Sequence, residues 1–226
     1  MTASPNVSIM DDLPIEQKLA ISHATGFHKH ALTAFLSLDR RMGQFVSQSK
    51  EGMLTQMRIA WWRDQLGKAV EGRPNGDATL DAISRQWVGE ESALVALVDG
   101  WEALLSEPPL PDDAALEFAS GRAACFAAMV RLNGTDRERD MKNASHCGAV
   151  WALADLASRM SDTDERSIVL DLAEDQCDGP IKLPYALRSL MVLGSLGRRS
   201  IARSGGPLIA GRADIFHIMK IGMFGR

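Results

Sequence analysis

The sequence predicts an all-α fold, with residues 1–226 forming a single helical domain. Three observations carry that expectation. Apolar residues recur at helical spacing along most of the chain. Strand-type alternation is almost absent. Start and stop residues fall between the periodic segments.

Taken in order, Asp12-Leu13-Pro14 opens a first helix, with proline where its missing N–H costs nothing. Ala31, Ala34, Phe35, Leu38, Met42 and Phe45 trace one apolar stripe. Leu54, Met57, Trp61, Leu66, Ala69 and Val70 trace the next, which ends at Gly72-Arg73-Pro74-Asn75-Gly76. Asp77 is placed to cap a short helix carrying Leu80, Ile83 and Trp87. A further stripe runs from Leu94 through Trp101 to Leu105 and stops at Glu107-Pro108-Pro109. Pro111-Asp112-Asp113 starts a helix with Leu116, Ala119, Ala123, Phe126 and Val130 on one side. Helices then follow over residues 136–160, 164–175 and 184–203. After Ser204-Gly205-Gly206-Pro207 comes an amphipathic piece over residues 215–224. The connections are short, as in a helical bundle.

Composition narrows the function classes. Hydrophobic residues make up 46% and charged residues 24%, which excludes a disordered chain. A net charge of -4 offers no bulk attraction to nucleic acid. Cys125, Cys147 and Cys177 lie far apart and are odd in number, so reduced thiols are expected rather than a disulfide framework or a zinc site. No signal peptide or membrane-spanning segment is expected, and the expected location is cytoplasmic.

Few residues invite chemistry. His28 and His30 are two apart and cannot share one helix face, and His23, His146 and His217 lack neighbours of metal-ligand type. All five read as surface or hydrogen-bonded core residues. The glycines in Gly194-x-x-Gly197 and Ser204-Gly205-Gly206 follow no strand, so a nucleotide cradle is not supported. Asp171 and Asp175 lie one helical turn apart, a spacing that suits Mg²⁺ and equally suits a solvated face. The C-terminal basic residues Arg198, Arg199, Arg203, Arg212, Lys220 and Arg226 have two readings. They form a solvated face, or they join Ile215, Phe216, Ile218, Met219, Ile221, Met223 and Phe224 in a helix that meets a membrane surface or protein partner.

Residues 31–66 resemble the squalene/phytoene synthase family. Met57-Arg58-Ile59-Ala60-Trp61-Trp62-Arg63-Asp64-Gln65-Leu66 carries its tryptophan-pair signature, and weaker similarity continues over residues 101–134, 148–159 and 183–193. The resemblance implies an isoprenoid-synthase-like all-α bundle. In active members two aspartate-rich motifs face each other across an apolar cavity and hold Mg²⁺ against prenyl diphosphates. This chain departs from that pattern. Arg40, Arg41 and Gln44 stand where the first motif would have aspartates, with Asp39 one residue off and Gly43 four residues on. For the second motif two registers stay open. One, through Gly148-Ala149-Val150-Trp151-Ala152-Leu153-Ala154-Asp155-Leu156, leaves Arg159 at the metal position. The other keeps Asp171, Glu174 and Asp175 with a tail of Gly179, Ile181, Leu183 and Pro184.

The resemblance therefore lies with the short non-catalytic members, of the mitochondrial complex I assembly factor 6 type. It implies a pseudoenzyme without metal or cofactor that acts as a binding or assembly factor, peripheral to the inner membrane. An isoprenoid or other lipid-like ligand fits that reading. The alternative is a Mg²⁺-dependent prenyl-diphosphate transferase, and an unrelated helical adaptor is a third.

Overall fold

Nine successive residues, Ala31 to Asp39, are buried, and a helix buried on every side belongs at the centre of a bundle. A computed structural model, which describes residues 9–48, 52–177 and 182–225, puts them on α2 (Gly26–Ser47), following α1 (Ile15–Ser22). The polar members of the run stay inside because their hydroxyls turn back to the helix. Thr33 Oγ1 donates to the Lys29 carbonyl at 2.8 Å and Ser37 Oγ to that of Thr33 at 2.7 Å.

The other helices are α3 (Gly52–Leu66), α4 (Ala78–Gln86), α5 (Glu91–Ala103), α6 (Asp112–Leu132), α7 (Glu138–Arg159), α8 (Thr163–Asp175), α9 (Arg188–Ile201) and α10 (Arg212–Phe224). Short 3₁₀ turns at Val70–Gly72 and Tyr185–Leu187 complete the described elements, and no strand occurs among the described residues. The all-α expectation therefore holds. The Asp77 cap is present too: its Oδ1 accepts from the N–H groups of Thr79 (2.9 Å) and Leu80 (3.0 Å). Arg73 closes α3 from the other end. Its guanidinium donates to the carbonyls of Gln65, Leu66 and Lys68, which the end of a helix leaves open.

Two stripes differ from the sequence reading. On α3 the buried residues are Thr55, Ile59, Trp62, Gln65 and Leu66, while Leu54, Met57 and Trp61 are exposed. On α6 Ala119, Phe126 and Val130 are buried as expected and are joined by Ala115, Phe118, Arg122, Cys125 and Met129, while Ala123 is half-buried and Leu116 points to solvent. In both cases apolar residues on two sides of one helix left the inward face at least partly undetermined.

Helices α5, α6, α7 and α9 pack as a consecutive series alongside α2, with α8 on α7, α10 on α9 and α1 bridging α2 to α9. Small residues set the spacing within that series. A Cβ at Gly121 of α6 would lie 2.5 Å from the Ala96 carbonyl of α5, and one at Gly100 of α5 would lie 2.9 Å from the Glu117 carbonyl of α6. At each contact a glycine of one helix meets the main chain of the other, so the backbones touch. Gly194 and Gly197, the expected non-cradle glycines, do the same for α9 against α7. Around this frame one continuous core includes Phe35, Trp62, Trp87, Phe126 and Trp151.

The contact predicts a large effect from one methyl group. Gly121→Ala should lower the unfolding free energy by about 1–3 kcal/mol, the usual cost of overpacking, although alanine is the better helix former. Urea titration checks it, with exposed Ser120→Ala as the control expected to stay within about 0.5 kcal/mol.

Candidate functional site

The middle of the bundle contains charge. Arg122 and Asp39 are each 1% exposed, and they come from different helices, α6 and α2. Arg122 Nε donates to Asp39 Oδ1 at 2.9 Å and one Nη to Asp39 Oδ2 at 2.8 Å, a bidentate pair. Its other Nη donates to Asp155 Oδ2 on α7 at 2.9 Å. Asp155 Oδ1 accepts from Arg159 Nε at 2.9 Å, and Trp101 Nε1 of α5 adds a bond to Asp39 Oδ1 at 2.9 Å. All four carboxylate oxygens are occupied by cationic or indole donors.

Helical spacing explains how each residue gets there. Asp39 lies one turn beyond Phe35, Asp155 one turn beyond Trp151, and Arg122 lies between Phe118 and Phe126 at four-residue steps. The same steps wall the guanidinium with aromatic faces: its carbon is 4.1 Å from the Trp151 ring centre, 4.6 Å from that of Phe118 and 5.4 Å from that of Trp101. Burial opposes the charge on Arg122, yet the carboxylates of Asp39 and Asp155 outweigh it and raise its pKa. Glu16 of α1 feels the same centre. Its carboxyl is pushed up, first by burial and further by the Asp155 charge.

These residues do not fit a Mg²⁺ ion. Hard cations need free carboxylate oxygens, and here the guanidinium of Arg122 holds the space and the charge between the two carboxylates. Among the described residues no group of three or more His, Cys, Asp or Glu side chains converges on a position that could hold a metal ion. Asp171, Glu174 and Asp175 lie exposed on the solvent side of α8, so the acidic spacing there is a solvated face. Gly179, Pro180 and Ile181 of that register, and Arg226 of the basic tail, lie outside the described residues. The carboxylate opposite Asp39 is Asp155, from the other register. Sequence reasoning passed over Arg122 and Asp155. The available signal was a single charge in each of two otherwise core-facing periods, which requires a buried partner.

Arg40 and Arg41 do not share a cavity with Asp171. They line a small polar cavity of about 140 Å³ with Asp12, Ser37, Gln44 and Thr79. Arg41 is ion-paired to Asp77 and lies 5.2 Å over the Trp62 ring. Within the tryptophan-pair signature, Trp62 is core, Trp61 is half exposed, and Arg63 joins α3 to α5 by ion pairs with Asp99 and Glu102.

The basic tail divides. Arg199 and Arg203 bind Asp214 at the start of α10, at 2.6 Å and 3.0 Å. Burial works against the Asp214 charge, but the Ala210 N–H and the two arginines outweigh it and hold the carboxyl down at about 2. Ile218 and Ile221 bury the inner face of α10, whereas Phe216, Met219, Met223 and Phe224 remain exposed beside Lys220.

Cys125 and Cys147 are buried thiols outside any disulfide, and burial pushes Cys147 up to about 12. His28 is buried and shares a 3.2 Å hydrogen bond with Ser189 Oγ. Among the described residues no helix is long and apolar enough to cross a membrane. The molecule thus belongs to the class of helical bundles with a filled, charge-paired centre. Comparison with protein-family models, with curated proteins and with solved structures found no match.

Two tests follow. Arg122→Met leaves two buried carboxylates facing each other and should cost about 3–5 kcal/mol in urea titration. Adding Asp39→Asn and Asp155→Asn to that variant should restore much of the loss. The second concerns acid. Burial first, and the Arg188 charge next, lower the His28 pKa from 6.5 to about 4. Between those values the unfolded chain binds the extra proton, so stability rises with pH through the window. It is fully present above about pH 6.5 and is lost as pH falls toward 4, by about 3 kcal/mol for this group. His28→Gln should flatten that part of a stability–pH curve.

Proposed function

We propose that the chain is a catalytically degenerate squalene/phytoene synthase-like protein that works as a binding or assembly factor. The observation that carries this reading is the Arg122 guanidinium clamped between Asp39 and Asp155. In an enzyme of that family, facing carboxylates hold metal ions against a diphosphate. Here Asp39 and Asp155 are bridged by a cation of the protein's own that is walled by aromatic rings. Ionising a diphosphate needs positive charge delivered at the leaving group inside a dry cavity. A guanidinium already neutralised by two carboxylates does not supply it.

A binding role needs a surface instead, and α10 offers one. Its inner face is anchored through Ile218, Ile221 and Asp214, and its outer face presents Phe216, Met219 and Met223 at helical spacing with Lys220 among them. That combination suits an interfacial helix resting on an anionic membrane surface, consistent with a cytoplasmic protein peripheral to the inner membrane. Exposed apolar rows of this kind are unusual on a surface that meets only water.

The expected outcome with farnesyl or geranylgeranyl diphosphate and Mg²⁺ is no pyrophosphate release. Turnover above the protein-free rate would replace this reading with the transferase. With vesicles containing anionic lipid, the protein should co-sediment. Replacing Phe216, Met219 and Met223 together by serine should reduce co-sedimentation at least tenfold while the helical circular dichroism spectrum stays unchanged. Unaltered co-sedimentation would remove α10 from the contact.

A further inference from the structure

Beside the charged centre lies an apolar groove of about 300 Å³, between the C-terminal ends of α2, α5 and α7 and the start of α8. Val46, Trp101, Leu104, Leu110, Leu156 and Met160 supply its walls, and two charged residues, Arg159 and Glu165, also line it. The volume is at the lower end of the range for small-molecule sites, and apolar walls with a few polar groups are the usual makeup of such sites. The α2 wall includes Gly43. A Cβ there would come within 2.9 Å of the Trp101 ring, so the indole can lie directly against the helix.

Arg159 is the group with capacity to spare. Its Nε is committed to Asp155 Oδ1, which fixes the guanidinium, while its Nη groups make no hydrogen bond among the described residues. Half of the side chain is exposed. Asp155 shares Arg122 with Asp39, so Arg159 completes a balanced set of two cations and two carboxylates, and what it offers a ligand is its outward Nη donors. Glu165 is engaged differently: its Oε1 accepts the Leu110 N–H at 2.9 Å.

We infer that this groove binds a short single-chain amphiphile, with the chain against Trp101 and Leu156 and an anionic head on the fork of Arg159. A carboxylate or a phosphate head satisfies the same two donors. The site is separate from the α10 face and stands whether or not that face meets a membrane.

Calorimetric titration of the full chain with decanoate, decyl phosphate and decanol tests it. Both anions should bind, and decanol should bind more weakly. Arg159→Gln should weaken the two anions by about ten- to a hundredfold and leave decanol unchanged, as loss of a charge-assisted bond requires. The ratio of the two anions' affinities identifies the head. Glu165→Gln should tighten both anions or leave them as they are. Val46→Trp fills the groove and should abolish binding of all three, and Leu104→Trp does the same from α5 should the first variant fold poorly. Absence of binding to the unaltered chain would overturn the inference. So would equal weakening of decanol in Arg159→Gln, or full binding by a folded groove-filling variant.

Discussion

A guanidinium cannot be left alone in a protein interior, and Arg122 is fully inside this one. Its neutralisation depends on carboxylates that must arrive from two other helices at the correct height and face. That requirement relates α2, α6 and α7 to one another more tightly than apolar packing alone, because an apolar contact tolerates a shift that a bidentate ion pair does not. Trp101 extends the relation to α5 through its bond to Asp39, and Arg159 carries it to the surface through Asp155. The rings of Trp151, Phe118 and Trp101 exclude water from the guanidinium, and Phe126 stacks on Trp151 behind them.

Such a centre is compatible with close helix approach only because the backbones meet at glycine. Gly100 and Gly121 let α5 and α6 touch a turn or so from the residues that wall the guanidinium, and Gly194 and Gly197 bring α9 onto α7 near Trp151. Between these helices lie the charged centre and its aromatic walls. What the molecule offers to other molecules lies outside it: the outer face of α10, the exposed Met53, Leu54, Met57 and Trp61 of α3, and the groove beside Trp101.

The fold class was legible from the sequence because helical periodicity survives wherever one face of a helix is wet. The starts of α4 and α6 follow Asp77 and Pro111. The inward face of α3 was not legible, and that of α6 was legible only in part. Leu54, Met57 and Leu116 repeat at helical spacing just as core residues do, and only tertiary packing decides between two apolar sides. The charged centre was hidden for another reason. Arg122 and Asp155 are separated by 33 positions and Arg122 and Asp39 by 83, so no local spacing announces their pairing. A carboxylate pair at four-residue spacing, Asp171 with Asp175, looked more like a site and is solvated. Arg40 and Arg41 were recognised as cations in the first-motif position. That Asp39 beside them is the inward-facing residue depends on which way α2 is rotated in the bundle.

The ion triad also has a bearing on how this chain can change over generations. Removing Arg122 strands two buried carboxylates, and removing Asp39 or Asp155 leaves buried guanidinium donors without an acceptor, each a loss that is a sizeable part of a domain's total stability. Each residue is thus held in place by the other two, even if none of them ever touches a ligand. Drift at the solvated face of α8 meets no such barrier. Sequences descended from this one should therefore exchange the three charges together or not at all, and the surviving combination would mark common ancestry long after the surface has been rewritten.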